Sequence, residues 1–226
     1  SLGLGATPAT VKYTLTAEDV AGPFADAIPQ DMMAKAALPR LAFASVLEAI
    51  SERFHAAPAL IERLNPGVQF VQGVEIVVPN IPEPLSSPAG AAEVVVAKAE
   101  STLRVLDGAG KVIFFAPVTS GSEHDPLPIG DWKVTGISRD PTFHYNPDLF
   151  WDADVSHAKA KIPPGPNNPV GVVWIDISKE HYGIHGSPEP GKIGHTESHG
   201  CVRLTNWDAT TVAGLVKAGT PVRFRP

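Results

Sequence analysis

The sequence predicts a mainly β domain, sandwich- or barrel-like with one substantial helix, preceded by a small α+β module in strand–helix–helix–strand order. Three observations carry this. There are 23 prolines and 20 glycines among 226 residues, a composition that favours turns and short strands over long helices. Apolar residues make up 43% of the chain, which supports a buried core. The run from Pro79 to Gly90 (PNIPEPLSSPAG) divides a helix-rich part from a strand-rich part, because proline fixes φ and donates no hydrogen bond. The expected division is an extension over 1–40, a module over 41–82, a linker over 83–90 and the main domain over 91–226.

Residues 1–30 carry no usable motif. Asp31 to Leu38 is helical in pattern and stops at Pro39. A short strand is expected near Leu41 to Phe43. Ser45 and Glu48 form a capping box opening a helix over Val46 to Phe54, with Leu47, Ile50 and Phe54 on one face. A second helix covers Pro58 to Leu64 and stops at Asn65-Pro66-Gly67, and Gly73 to Val78 reads as a strand. After the linker, Glu93 to Ala97 and Thr102 to Leu106 are strands; Asp107-Gly108-Ala109-Gly110 turns the chain into a returning strand from Lys111 to Thr119. Asp131 to Ile137 follows the turn Leu127-Pro128-Ile129-Gly130. The Pro- and Asn-rich stretch from Arg139 to Pro169 is too irregular for a core element, and loops of such length are often functional. Gly171 to Ile177 and Tyr182 to Gly186 are strands, Asn206 caps a helix over Trp207 to Ala218 ending at Gly219, and Pro221 to Phe224 closes the chain.

A formal charge of -6 leaves no basic block to neutralise phosphates, which argues against nucleic acid as partner. A single cysteine cannot form an internal disulfide. No apolar run approaches the roughly 20 residues that span a bilayer. The opening SLGLGATPAT has no basic n-region or apolar h-region, so no signal peptide is legible in it.

Chemistry concentrates between His181 and Asn206, HYGIHGSPEPGKIGHTESHGCVRLTN. The lone thiol, Cys201, follows Ser198-His199-Gly200, and His185-Gly186 lies a short loop earlier. A thiolate attacks carbonyls, an imidazole moves the proton, and backbone N–H groups beside small residues stabilise an oxyanion. A lone cysteine is most often a buried structural one, but glycine beside it permits close approach of a substrate. A free thiol titrates near 8.5, so a neighbouring imidazole is needed to supply thiolate.

The His-Gly pair, the Gly-containing loop and Ser-His-Gly-Cys followed by Val202 and Arg203 resemble the catalytic domain of the L,D-transpeptidases (YkuD type), over residues 91–226. The resemblance implies Cys201 as nucleophile and His185 as base, with a backbone carbonyl at Gly186 or Ser187 orienting the ring, as Asp does in a Ser-His-Asp triad. Ser187 stands where the family often has Thr. Ser187, Ser198, His199, Gly200 and Arg203 are expected around the substrate and oxyanion, with the Gly200 and Cys201 amides forming the oxyanion hole. His199 either touches substrate or shapes the loop, and Arg203 either meets a substrate carboxylate or braces the loop. Pro163 to Gly171 resembles a loop of bacterial family members and either lines the groove or only connects.

Residues 41–82 similarly resemble a LysM carbohydrate-binding module through Asn65, Gly73, Ile76 and Val78-Pro79, although Ala44-Ser45-Val46-Leu47 replaces the usual Gly-Asp-Thr-Leu. The resemblance implies a cell-wall enzyme outside the cytoplasm. It would act on peptidoglycan stem peptides and on glycan strands through the module, with no metal or organic cofactor. It would form a thioester at the third stem residue, release D-alanine and pass the acyl group to an amine. Capture by water instead would give an L,D-carboxypeptidase or hydrolase; a wall-binding protein without catalysis would be expected to lack Cys201 or His185. Zinc held by His181, His185, His195, His199 and Cys201 is a competing reading. Four-apart histidines converge on one ion when helical, and on a strand they lie too far apart. The four tryptophans, Trp132, Trp151, Trp174 and Trp207, are read as core or rim aromatics.

Overall fold

The computed structural model describes residues 8–81 and 91–226. The linker expected over 83–90 lies outside the described residues. The chain forms two compact units, one from residues 8–27 with 42–81, the other from 28–41 with 91–226.

In the first unit, strand β1 (Thr10–Thr14) leads to the single-turn helix α1 (Ala17–Val20). Helix α2 (Met32–Ala36), capped by Asp31, belongs to the second unit. Helices α3 (Val46–Arg53) and α4 (Pro58–Leu64) and strand β2 (Glu75–Pro79) complete the first unit. Ser45 caps α3 by accepting from the Glu48 amide, while the Glu48 carboxylate reaches back to the Ala44 amide. Asn65 is buried at the end of α4, and its side chain accepts from the Val77 amide and donates to the Ile61 and Val77 carbonyls. Leu15, Ile50, Ile61, Ile76 and Val78 fill the core.

The strand expected at Leu41 to Phe43 does not form. β2 pairs antiparallel with β1, so Thr10–Thr14 supplies the first strand. Leu41 is committed elsewhere: its amide donates to Pro164, its carbonyl accepts from Asn167, and its side chain is buried with Tyr145 and Ile162 in the second unit.

The second unit is built on nine strands: β3 (Glu93–Ala97), β4 (Thr102–Leu106), β5 (Val112–Pro117), β6 (Thr119–Ser120), β7 (Gly130–Arg139) and, further on, β10 (Val173–Ile177), β11 (Gly183–His185), β12 (Val202–Arg203) and β13 (Pro221–Arg225). Between β7 and β10 run β8 (Phe143–Tyr145) and β9 (Ala160–Ile162), a separate antiparallel pair. The large sheet has the order β5-β4-β3-β13-β7-β10-β11-β12-β6. Its two edge strands, β5 and β6, are separated by Val118 alone, so the sheet must curl until its edges meet. That makes it barrel-like.

Helix α5 (Asn206–Leu215) packs on this sheet, burying Ala209, Val212 and Leu215 beside Ile175, Ile184 and Val202. Thr205 caps it rather than Asn206, and the helix stops at Leu215 rather than Ala218. The reason is that Asn206 is itself buried: its side-chain oxygen accepts from the Val172 amide and its amide group donates to Pro166.

Candidate active site

Strand register assembles the site. β11 pairs parallel with β12 so that Ile184 lies beside Val202 and His185 beside Arg203. Side chains alternate along a strand, so Cys201 and Arg203 share one face with His185, while Ile184 and Val202 point into the core. The same row continues across the sheet, since His185 pairs with Trp174 and Trp174 with Ser138. Ser138, Trp174, His185, Arg203 and Cys201 all line one cavity of about 870 Å³.

His185 is buried, and its Nδ1 lies 2.7 Å from the Gly186 carbonyl. That contact makes Nδ1 the protonated nitrogen, because a carbonyl only accepts. Trp174 stacks on the ring with centroids 5.2 Å apart, and its indole N–H donates to Asp176. Burial above all, then the Arg203 charge, pulls the imidazole down from 6.5 to about 3; the Gly186 contact opposes this. Cys201 is half-buried, and burial pushes its thiol up, partly offset by a backbone hydrogen bond from Gly183 and by Arg203. Both groups therefore rest uncharged. The thiol donates to the His181 carbonyl at 3.9 Å, and no hydrogen bond joins Cys201 to His185 among the described residues. Apo geometry of this kind often tightens only when substrate arrives.

The other expected residues divide. His199, Cys201 and Arg203 line the cavity. Ser198 does not: buried, it donates to the Cys201 carbonyl at 2.6 Å and accepts from the Gly121 amide at 2.7 Å, bracing the loop. Buried Ser187 accepts from the Glu189 amide. Gly186 has no room for a side chain, as a Cβ there would strike the Asn206 side chain. Gly200 has φ of 91°, and a Cβ would strike the Tyr182 ring. Arg203 forms no ion pair among the described residues and is the sole Lys or Arg in the cavity wall; burial, its largest influence, pulls it down. Among the described residues no group of three or more His, Cys, Asp or Glu is placed to hold a metal ion.

Sequence reasoning missed several parts. The 139–169 stretch supplies much of the cavity wall, including Phe143, Tyr145, Phe150, Asp152 and His157. Its local clusters of aromatic and acidic residues are visible in the sequence, but nothing there says that they fold over Cys201. Pro169 and Val170 bring the end of the Pro163–Gly171 loop to the cavity. His181, read only as a zinc alternative, contributes its carbonyl to the thiol and holds a left-handed φ of 66°. Met32, from α2, also reaches the wall.

The family model of the YkuD L,D-transpeptidase catalytic domain matches residues 91–224. A Bacillus subtilis (strain 168) protein named as an L,D-transpeptidase, YkuD, is 29% identical over 78% of this chain and 91% of its own length. Another so named, YbiS of Escherichia coli (strain K12), is 33% identical over 71% of this chain, which spans about half (53%) of that relative. A solved L,D-transpeptidase from Mycobacterium smegmatis is similar with a TM-score of 0.48 and 19% identity, over 69% of this chain and 64% of that one. On the family match over most of the second unit, this chain belongs to the L,D-transpeptidases of the YkuD catalytic-domain type.

Proposed function

We propose that the chain is a cysteine peptidoglycan L,D-transpeptidase working outside the cytoplasm. One observation carries the reading: Cys201, His185 and Arg203 face a single cavity, with the imidazole held through Nδ1 so that Nε2 is left to take a proton. Because thiol and imidazole both start neutral, His185 acts as a general base rather than as half of a preformed ion pair. It removes the thiol proton as sulfur attacks the carbonyl of the third stem-peptide residue. The amides of Gly200 and Cys201 receive the oxyanion. His185 then protonates the departing amine of D-alanine, leaving a thioester. A neighbouring stem's amine attacks this thioester, the C–S bond breaks, and a cross-link joins two third-position residues. Arg203, which forms no ion pair among the described residues, is suited to a carboxylate of the donor. The same sulfur would open a carbapenem ring.

Incubation with a disaccharide-tetrapeptide tests this. Free D-alanine with a cross-linked dimer is expected; D-alanine with tripeptide alone would identify a carboxypeptidase, and no release of D-alanine would defeat the proposal.

For the first unit we propose LysM-like glycan binding, supported by helices α3 and α4 lying, with the single-turn α1, between the paired strands β1 and β2, and by the buried Asn65 tie. Oligomers of N-acetylglucosamine should then shift NMR signals from residues 8–27 and 42–81. Unmoved signals there would remove the glycan role.

A further inference from the structure

The cavity wall is rich in hydrogen-bond acceptors, and one of them, Asp152, is within electrostatic reach of Arg203. His199, two residues before the nucleophile, approaches Asp152 Oδ1 with Nε2 at 2.8 Å. A carboxylate only accepts, so the shared proton sits on Nε2, and the other ring nitrogen is Nδ1. That Nδ1 is buried without a partner, and so is Asp125 Oδ2. Among the described residues these are the two buried side-chain polar atoms left unsatisfied, and both residues line this cavity. Such atoms need a partner from outside the protein. Asp152 itself is half-exposed, and its second oxygen is not used by the Nε2 contact. Asp154, a third carboxylate in the wall, is turned to Ser156 instead. Against these three carboxylates stands one cation, Arg203, in the sheet row beside Cys201.

A wall of this kind wants a cationic donor of several hydrogen bonds. An alkylammonium offers three N–H groups and a positive charge. We propose that Asp152, held in place by His199 and supported by Asp125, docks the ammonium of the acceptor stem beside the thioester. The inference rests on the acyl-transfer reading of Cys201. In the step it serves, the acceptor nitrogen bonds to the thioester carbon and the C–S bond breaks. Of the three nitrogen protons, one stays on the amide, one returns to sulfur, and one leaves to solvent through the Asp152 carboxylate. His199 is a positioning residue for Asp152; Asp152 touches the acceptor.

The test separates the two half-reactions. Wild type and Asp152→Asn are acylated with disaccharide-tetrapeptide, then challenged with a stem-tetrapeptide acceptor or with hydroxylamine, an uncharged nucleophile at neutral pH. In Asp152→Asn the rate of transfer to the ammonium acceptor should fall about tenfold, with the loss in acceptor KM. Acylation and transfer to hydroxylamine should stay within about twofold, and Asp152→Glu should recover part of the lost transfer. Equal loss with both nucleophiles, or loss of acylation in parallel, overturns the acceptor role; the latter assigns the carboxylate to the donor. Unchanged partition with normal acylation also overturns it while leaving the Cys201 reading intact. Absence of any thioester on wild-type protein is instead a failure of that underlying reading.

Discussion

Cys201 and His185 each sit where burial works against their charged forms, and this sets their response to pH. The thiol is raised above the ordinary range of a free thiol, so alkylation of the free enzyme by iodoacetamide should keep rising with pH well into the alkaline range. A plateau near neutrality would mean a preformed thiolate and would contradict the neutral pair. The imidazole gives a stability signature. Its folded value, about 3, lies below its ordinary 6.5, so between these limits the unfolded chain binds more protons than the folded one. Stability should therefore fall as pH drops through 6.5 toward 3, and His185→Gln should remove that part of the slope. Thermal melts from pH 7 to pH 4 measure it, and an unchanged slope in the variant would place the effect elsewhere.

Between residue and molecule, the parallel seam of β11 and β12 joins the base to the nucleophile loop, and Asn206 ties that seam to neighbouring segments. Asn206→Ala leaves the Val172 amide and the Pro166 carbonyl unpaired in a buried place, which should cost about 1–3 kcal/mol in denaturant melts. A loss below about 0.5 kcal/mol would show that water satisfies both groups. This hub explains what was legible and what was not. Strands over Glu93–Ala97 and Thr102–Leu106 and helix α4 stand where alternation, turn residues and proline placed them, because local pattern decides short elements. Asn206 reads locally as a cap, and Ser198 as a substrate contact, because their actual partners, Val172, Pro166 and Gly121, are distant in sequence. The pairing of β2 with β1 was missed for the same reason: the alternation in Thr10–Thr14 was present, but its partner lies beyond four helices.

At the scale of the whole molecule, the segment 28–41 is packed with the catalytic unit although its flanks belong to the other. Asp31 caps α2 and meets His157 at 2.7 Å; His157 meets the Tyr145 hydroxyl, and Tyr145 is part of the cavity wall. Leu41 is fully buried with Tyr145 and Ile162. Leu41→Ala should cost about 2–5 kcal/mol of stability through the cavity it leaves. It should also slow acylation, since the wall facing Cys201 rests on that cluster. Chemical denaturation and acylation rates measured on the same preparation would check both, and loss of stability with unaltered acylation would confine the segment to a structural role.

The acyl-enzyme itself is the most direct object to measure. Wild-type protein mixed with disaccharide-tetrapeptide, quenched in acid and digested, should carry the donor less D-alanine on the peptide containing Cys201, and Cys201→Ala should carry none. Acyl mass on another residue, or transfer that persists in the alanine variant, would contradict the assignment of that sulfur as nucleophile.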